Sequence, residues 1–190
     1  MPERSVRQFV FDAMLLQDDF RRLRNDGIDI DLPSEAKLIE RASESDFSPR
    51  ILASASKMAS VYVLVFALEN SARELIADRL RERKGANWWD SVPASVRKKV
   101  AELRSKEKSN RYHTERSTEL LGYTFFGNLA QTIIANWDEF SDLFPDQAWV
   151  TSRFNDLELS RNIVMHTGIL PEFEIDRVES IARDWLRQVG

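Results

Sequence analysis

The sequence predicts an all-α fold, a helical bundle carrying an N-terminal helical extension. Three observations carry this. Apolar residues recur at three- and four-residue steps along most of the chain, the period of a buried helix face. No pair of alternating segments joined by a turn reads as a β-hairpin. Only six glycines and six prolines occur in 190 residues, too few for a fold rich in tight turns.

Residues 5–24 read as an amphipathic helix with Val6, Phe9, Val10, Ala13, Leu16 and Phe20 in register, closed by Asn25-Asp26-Gly27. The stretch IDIDLP alternates but stops at Pro33, too short and acidic for a strand, and a short helix follows at about 34–43. These make up the extension, residues 1–46, and the bundle is assigned to 47–190. In DFSPRIL, Ser48 supplies a cap and Pro49 fits the first helical position, where a missing N–H costs nothing. That helix runs to Lys84, with Gly85 as its stop. Its middle, SVYVLVFALEN, is apolar nearly all round and is expected at the centre of the core. GANWWDSVP is a loop, and Pro93 opens the basic helix ASVRKKVAELRSKEKSN. RYHTERSTELLGY is a connector with some helical character. FFGNLAQTIIANWDEF reads as one helix with Phe126, Leu129, Ile133 and Trp137 in register. A helix at about 147–167 follows Pro145. A last one spans about 172–188, with Ile175, Val178, Ile181, Ala182, Trp185 and Leu186 facing inward.

Composition narrows the function. There is no cysteine, which removes disulfides, thiolate nucleophiles and cysteine-bound zinc and fits a reducing compartment. The N-terminus lacks the basic and apolar regions of a secretion signal. The most apolar run, Met58 to Leu68, is 11 residues long, short of the roughly 20 needed to span a bilayer. The chain reads as cytoplasmic, with no membrane contact. Net charge is −4 but uneven: residues 1–46 hold 11 acidic and 7 basic side chains, and residues 79–111 hold 11 basic and 4 acidic. A basic zone in an acidic protein is either an anion-facing surface or a solvated helix face.

Phosphate-loop, dinucleotide-binding, serine-hydrolase and zinc-protease motifs are missing. With only His113 and His166, and no pair of Glu-x-x-His motifs, neither a metal nor a cofactor is expected. What remains is Arg161, Asn162 and His166 in SRNIVMHTG. A five-residue step turns a helix by about 140° net, so Arg161 and His166 share a ligand only near the helix end. Arginine grips phosphate through a planar fork, histidine moves protons near neutral pH, and an amide orients either. That set suits metal-independent RNA cleavage, in which a base takes the 2′-hydroxyl proton, a cation stabilises the phosphorane and an acid protonates the leaving oxygen. One chain supplies one histidine, so acid and base together need two copies around one cleft. The same spacing also fits a histidine that only caps a helix end.

ELSRNIVMHTGIL resembles the signature of HEPN domains, Arg-polar-x3-His followed by a turn and a final helix. YVLVFALENSARELIADRL, WWDSVP and FFGNLAQTIIANWDEF, in that order, resemble the branch attached to a PIN-type endonuclease of RNA surveillance and found widely in bacteria. The resemblance covers about residues 50–190. It implies an all-α, dimeric, metal-independent endoribonuclease, with Arg161, Asn162 and His166 catalytic. It also implies a toxin or antiviral effector paired with an antitoxin, often a nucleotidyltransferase-like protein. Inactive relatives only bind nucleotides, RNA or proteins. The branch's Glu-Asn and following Arg are matched by Glu69, Asn70 and Arg73, which either line the cleft or form a buried ion pair and amide that orient the Arg161 helix. The second role is the one expected, because Glu69 ends an apolar run and needs a partner if buried. The IVM segment before His166 is expected in the core or a dimer seam. Arg97, Lys98, Lys99, Arg104 and Lys106 are candidate RNA contacts. Trp88 and Trp89 are read as loop anchors and His113 as an exposed loop residue.

Overall fold

The computed structural model describes residues 47–110 and 112–189. The helices expected at 5–24 and 34–43, and the IDIDLP stretch, lie outside the described residues. The fold is all-α, with five helices and no strand among the described residues. These are α1 (Pro49–Lys84), α2 (Ala94–Lys108), α3 (Phe126–Ala135), α4 (Gln147–Met165) and α5 (Glu172–Val189). Short 3-10 turns stand at Gly85–Ser91, Leu120–Tyr123 and Trp137–Glu139.

The chain divides into two compact units between Ala55 and Ser56. The described part of the first is the opening of α1, where the Ser48 carbonyl accepts the amides of Ile51 and Leu52. In the second unit, α1 buries one stripe, Met58, Val61, Val65, Leu68, Ala72, Ile76 and Leu80, at three- and four-residue steps. Gly85 ends the helix at φ 70, which glycine adopts without a Cβ penalty. Phe126, Leu129 and Ile133 of α3, Val150, Phe154 and Leu157 of α4, and Ile175, Val178, Ile181 and Trp185 of α5 complete the core. Aromatic rings tie these helices together: Phe126 meets Phe154 edge-on at 5.7 Å, and Trp185 meets Phe154 and Phe144 at the same separation. Asp146 caps α4 by accepting the Trp149 amide at 2.7 Å.

Three expectations are corrected. The middle of α1 is apolar all round, yet only one stripe is covered: Tyr62, Val63 and Phe66 are exposed, Phe66 by 56 %. Helix α1 also contains an 18-residue window of mean hydropathy 1.8, apolar enough by length and composition alone to cross a membrane, and 22 % of that window is buried. Leu186 is exposed because α5 buries a narrower stripe than its periodicity allows. The helix opening at Phe126 does not continue to Phe140. Asn136 breaks it at φ −118, ψ 35, where its amide donates to the carbonyls of Ser91 (3.1 Å) and Thr132 (2.9 Å). That side-chain competition with the backbone is what asparagine brings to a helix end.

Candidate active site

The last two turns of α4 carry Arg161 and Asn162, and His166 follows directly as the residue that ends the helix. The buried side of the helix is set by Val150, Phe154, Leu157 and Ser160. Arg161 follows that side: it is half-buried, and its guanidinium lies over the Phe125 ring, 4.5 Å from the centroid. Its Nη1 donates to Asn162 Oδ1 at 3.1 Å, and it pairs with no carboxylate among the described residues.

Beside it stand Glu69, Asn70 and Arg73 of α1. Glu69 is buried and lies 3.1 Å from Arg73 Nη2, and both side chains are nearly out of water. The pair is in contact but poorly aligned, leaving Glu69 Oε1 and Arg73 Nε without a hydrogen bond. Arg73 spends its two terminal nitrogens elsewhere: Nη1 donates to Asn70 Oδ1 at 2.9 Å and Nη2 to the Thr124 carbonyl at 2.7 Å. Asn70 in turn donates to the Phe66 carbonyl. The triad therefore grips the backbone next to Phe125, the ring under Arg161. Burial pushes the Glu69 carboxyl above its ordinary value, against the opposing pull of Arg73 and Arg161. Burial lowers Arg73, and the nearby Arg161 charge adds to that. Glu158, which accepts the Gly127 amide at 3.2 Å, raises Glu69 further.

Phe125 was not legible as a site residue. Lys99 stands 5.6 Å and Arg116 5.9 Å from its ring centroid, so three cations from three parts of the chain surround one half-buried ring. The one available signal was the Phe125-Phe126 doublet at a helix start. Phe126 is buried in the core, so its neighbour must point another way.

His166 is placed differently. It is the C-cap of α4, its imidazole is exposed, and no hydrogen bond joins it to Arg161. Thr167 follows at φ 61, a left-handed conformation that a β-branched residue rarely adopts. The Gly168 amide donates to the Ile163 carbonyl at 2.8 Å and the Thr167 amide to Val164, the pairing of a Schellman stop. A Cβ at Gly168 would lie 2.6 Å from Ile163 Cγ2, so glycine is needed there for close approach. The left-handed residue is thus Thr167, while Gly168 serves contact. The IVM segment splits: Val164 packs against the core, while Ile163 and Met165 are exposed.

Of the five basic residues of α2 proposed from the sequence as RNA contacts (Arg97, Lys98, Lys99, Arg104 and Lys106), Lys99 is the one that reaches the ring under Arg161. Arg97 is held by the Val92 carbonyl and Asp90. Lys98 and Lys106 are exposed and Arg104 is half-buried. Trp88 and Trp89 pack edge-on against each other at 5.6 Å and against the core, with Arg81 over Trp88. His113 is exposed beside Arg116 and Lys106. No group of metal-ligating side chains is found among the described residues.

Compared with known proteins, the chain matches no family model, no curated protein and no solved structure.

Proposed function

We propose that this chain is a metal-independent endoribonuclease of the HEPN type, active as a homodimer. In that role it would act as a toxin or antiviral effector held in check by a nucleotidyltransferase-like antitoxin. One observation supports the reading above the rest. Leu159, Asn162, Ile163 and His166 form a single outward stripe on α4, at steps of three, one and three residues, and Leu159 and Ile163 are exposed. Tyr62 and Phe66 form a matching stripe on α1 that runs directly into Asn70 and Arg73. Exposed apolar residues in register with polar ones favour a protein partner over lipid, because Asn70 and Asn162 need polar company when covered. A second copy on these stripes brings a second His166 to the same cleft.

In this mechanism one His166 takes the 2′-hydroxyl proton, and the 2′-oxygen bonds to phosphorus. The bond from phosphorus to the 5′-oxygen breaks, and the partner's His166 returns a proton to that oxygen. The products are a 2′,3′-cyclic phosphate and a free 5′-hydroxyl. Arg161, which forms no ion pair with a carboxylate among the described residues, stabilises the phosphorane, and Asn162 orients its guanidinium. The test is cleavage of total RNA and bulk tRNA in EDTA by wild type and His166→Ala. Cleavage by wild type alone is the expected result. Equal cleavage by both would remove His166 from the chemistry, and none by either would leave a binding module.

A further inference from the structure

On the other flank of α2 lies a groove with no part in the Arg161 site. Arg97, Arg104 and Lys108 recur at steps of seven and four residues, on one stripe of the helix, with exposed Ala101 between them. Lys99, which faces Phe125, sits about half a turn away. The stripe forms one wall of a cavity of about 340 Å³ whose other wall is Trp89 and Leu120. No carboxylate lines it among the described residues. Two other clefts among the described residues mix signs: one of about 370 Å³ carries Glu74, Asp78 and Glu119, and one of about 240 Å³ carries Glu107.

The cations here are not equivalent. Arg97 is already tied to Asp90 and to the Val92 carbonyl. Arg104 and Lys108 pair with no carboxylate among the described residues, and Arg104 Nε is shut off from water with no acceptor. What draws an anion into the groove is the pair of cations on one stripe, Arg104 and Lys108, with no carboxylate partner among the described residues. Trp89 is fixed against Trp88 and the core, so the aromatic wall stands ready without ordering cost. Ala101 leaves the floor open, where a larger residue would fill it.

We infer that this groove is a second RNA subsite, taking one unpaired nucleotide of a single-stranded substrate. The base lies against Trp89 and Leu120, and the phosphate lies between Arg104 and Lys108. A base held in a duplex stays stacked on its neighbours and does not enter, whereas an unpaired base offers its face to an aromatic wall. The site rests on RNA being the substrate, as proposed above. It holds a flanking nucleotide and takes no part in the chemistry.

The test separates binding from cleavage. A labelled single-stranded oligonucleotide with 2′-O-methyl groups throughout cannot form the cyclic phosphate, so its affinity is measured by fluorescence anisotropy without turnover. Arg104→Gln with Lys108→Gln should weaken binding by about tenfold or more and reduce its salt dependence, while Arg183→Gln, which removes one exposed charge on α5, binds like wild type. A strand carrying 5-iodouridine should photocrosslink to the peptide containing Trp89. Far-UV circular dichroism verifies that the double variant keeps its helices. Binding within about twofold of wild type, or equal affinity for a duplex, would overturn the groove. So would binding of adenosine monophosphate with none of the strand, since the groove would then serve a free nucleotide. Intact strand binding by a wild-type protein that cuts no RNA would sink the nuclease reading and spare the subsite.

Discussion

The two sides of α4 carry the same motif into different surroundings. On the inner side, Phe154 and Leu157 are buried, and Arg161 is held by Phe125 and Asn162, with Glu69 and Arg73 nearby. On the outer side, Leu159 is 57 % exposed, Ile163 is exposed beside it, and His166 ends the helix without a side-chain partner among the described residues. A single chain therefore fixes its guanidinium by itself but leaves its imidazole without a fixed place. Burial is what separates the two. A side chain wedged among packed neighbours has one rotamer, while one at an exposed helix end samples several. A second copy over Leu159 and Ile163 would remove that asymmetry.

The comparison breaks most visibly at its inner side. Phe154→Ala should cost about 3–5 kcal/mol in urea unfolding, since it removes a buried ring that touches Phe126 and Trp185. Leu159→Ala, on the outer side, should change the monomer by no more than about 0.5 kcal/mol. Analytical ultracentrifugation should nonetheless show Leu159→Glu shifted toward the monomer, and an unchanged mass would remove the outer stripe from the interface. Next comes Arg73→Ala, which strands the buried Glu69 charge and frees the Thr124 carbonyl, at a cost of roughly 3 kcal/mol. Lysine should rescue little, because a single ammonium cannot hold Asn70 and Thr124 together. Thr167→Gly acts on the outer end alone. Relief of the left-handed backbone should raise stability by about 1 kcal/mol, and any accompanying fall in cleavage would tie that strain to the placing of His166. The smallest effect is a slope. Burial raises the Glu69 carboxyl from 4.5, so the folded state holds that proton more tightly than the unfolded chain does. Its contribution is fully present below the ordinary value and is lost as pH rises through the raised one. Measured against wild type across that window, Glu69→Gln should therefore gain stability as pH rises.

Much of the fold was legible in local signals. Pro49 and Gly85 bracket α1, Asp146 caps α4, and the spacing of Ile175, Val178, Ile181 and Trp185 fixes the inner face of α5. Each is a property of a few neighbouring residues, so the sequence determined the all-α class, the helix order and most boundaries by itself. The Arg161, Asn162 and His166 motif was visible in the same way, as was the basic stretch of α2. What only the tertiary structure decided is which apolar residues are covered and which polar ones meet. Nothing in SVYVLVFALEN distinguishes Val61, which is buried, from Val63, which is exposed, because a stripe is chosen by the helices packed against it. Nor does any local pattern join Lys99, Arg116 and Arg161 around Phe125, or set Trp89 opposite Arg104. Those groups lie far apart in the chain, and periodicity reports only on neighbours within a few turns.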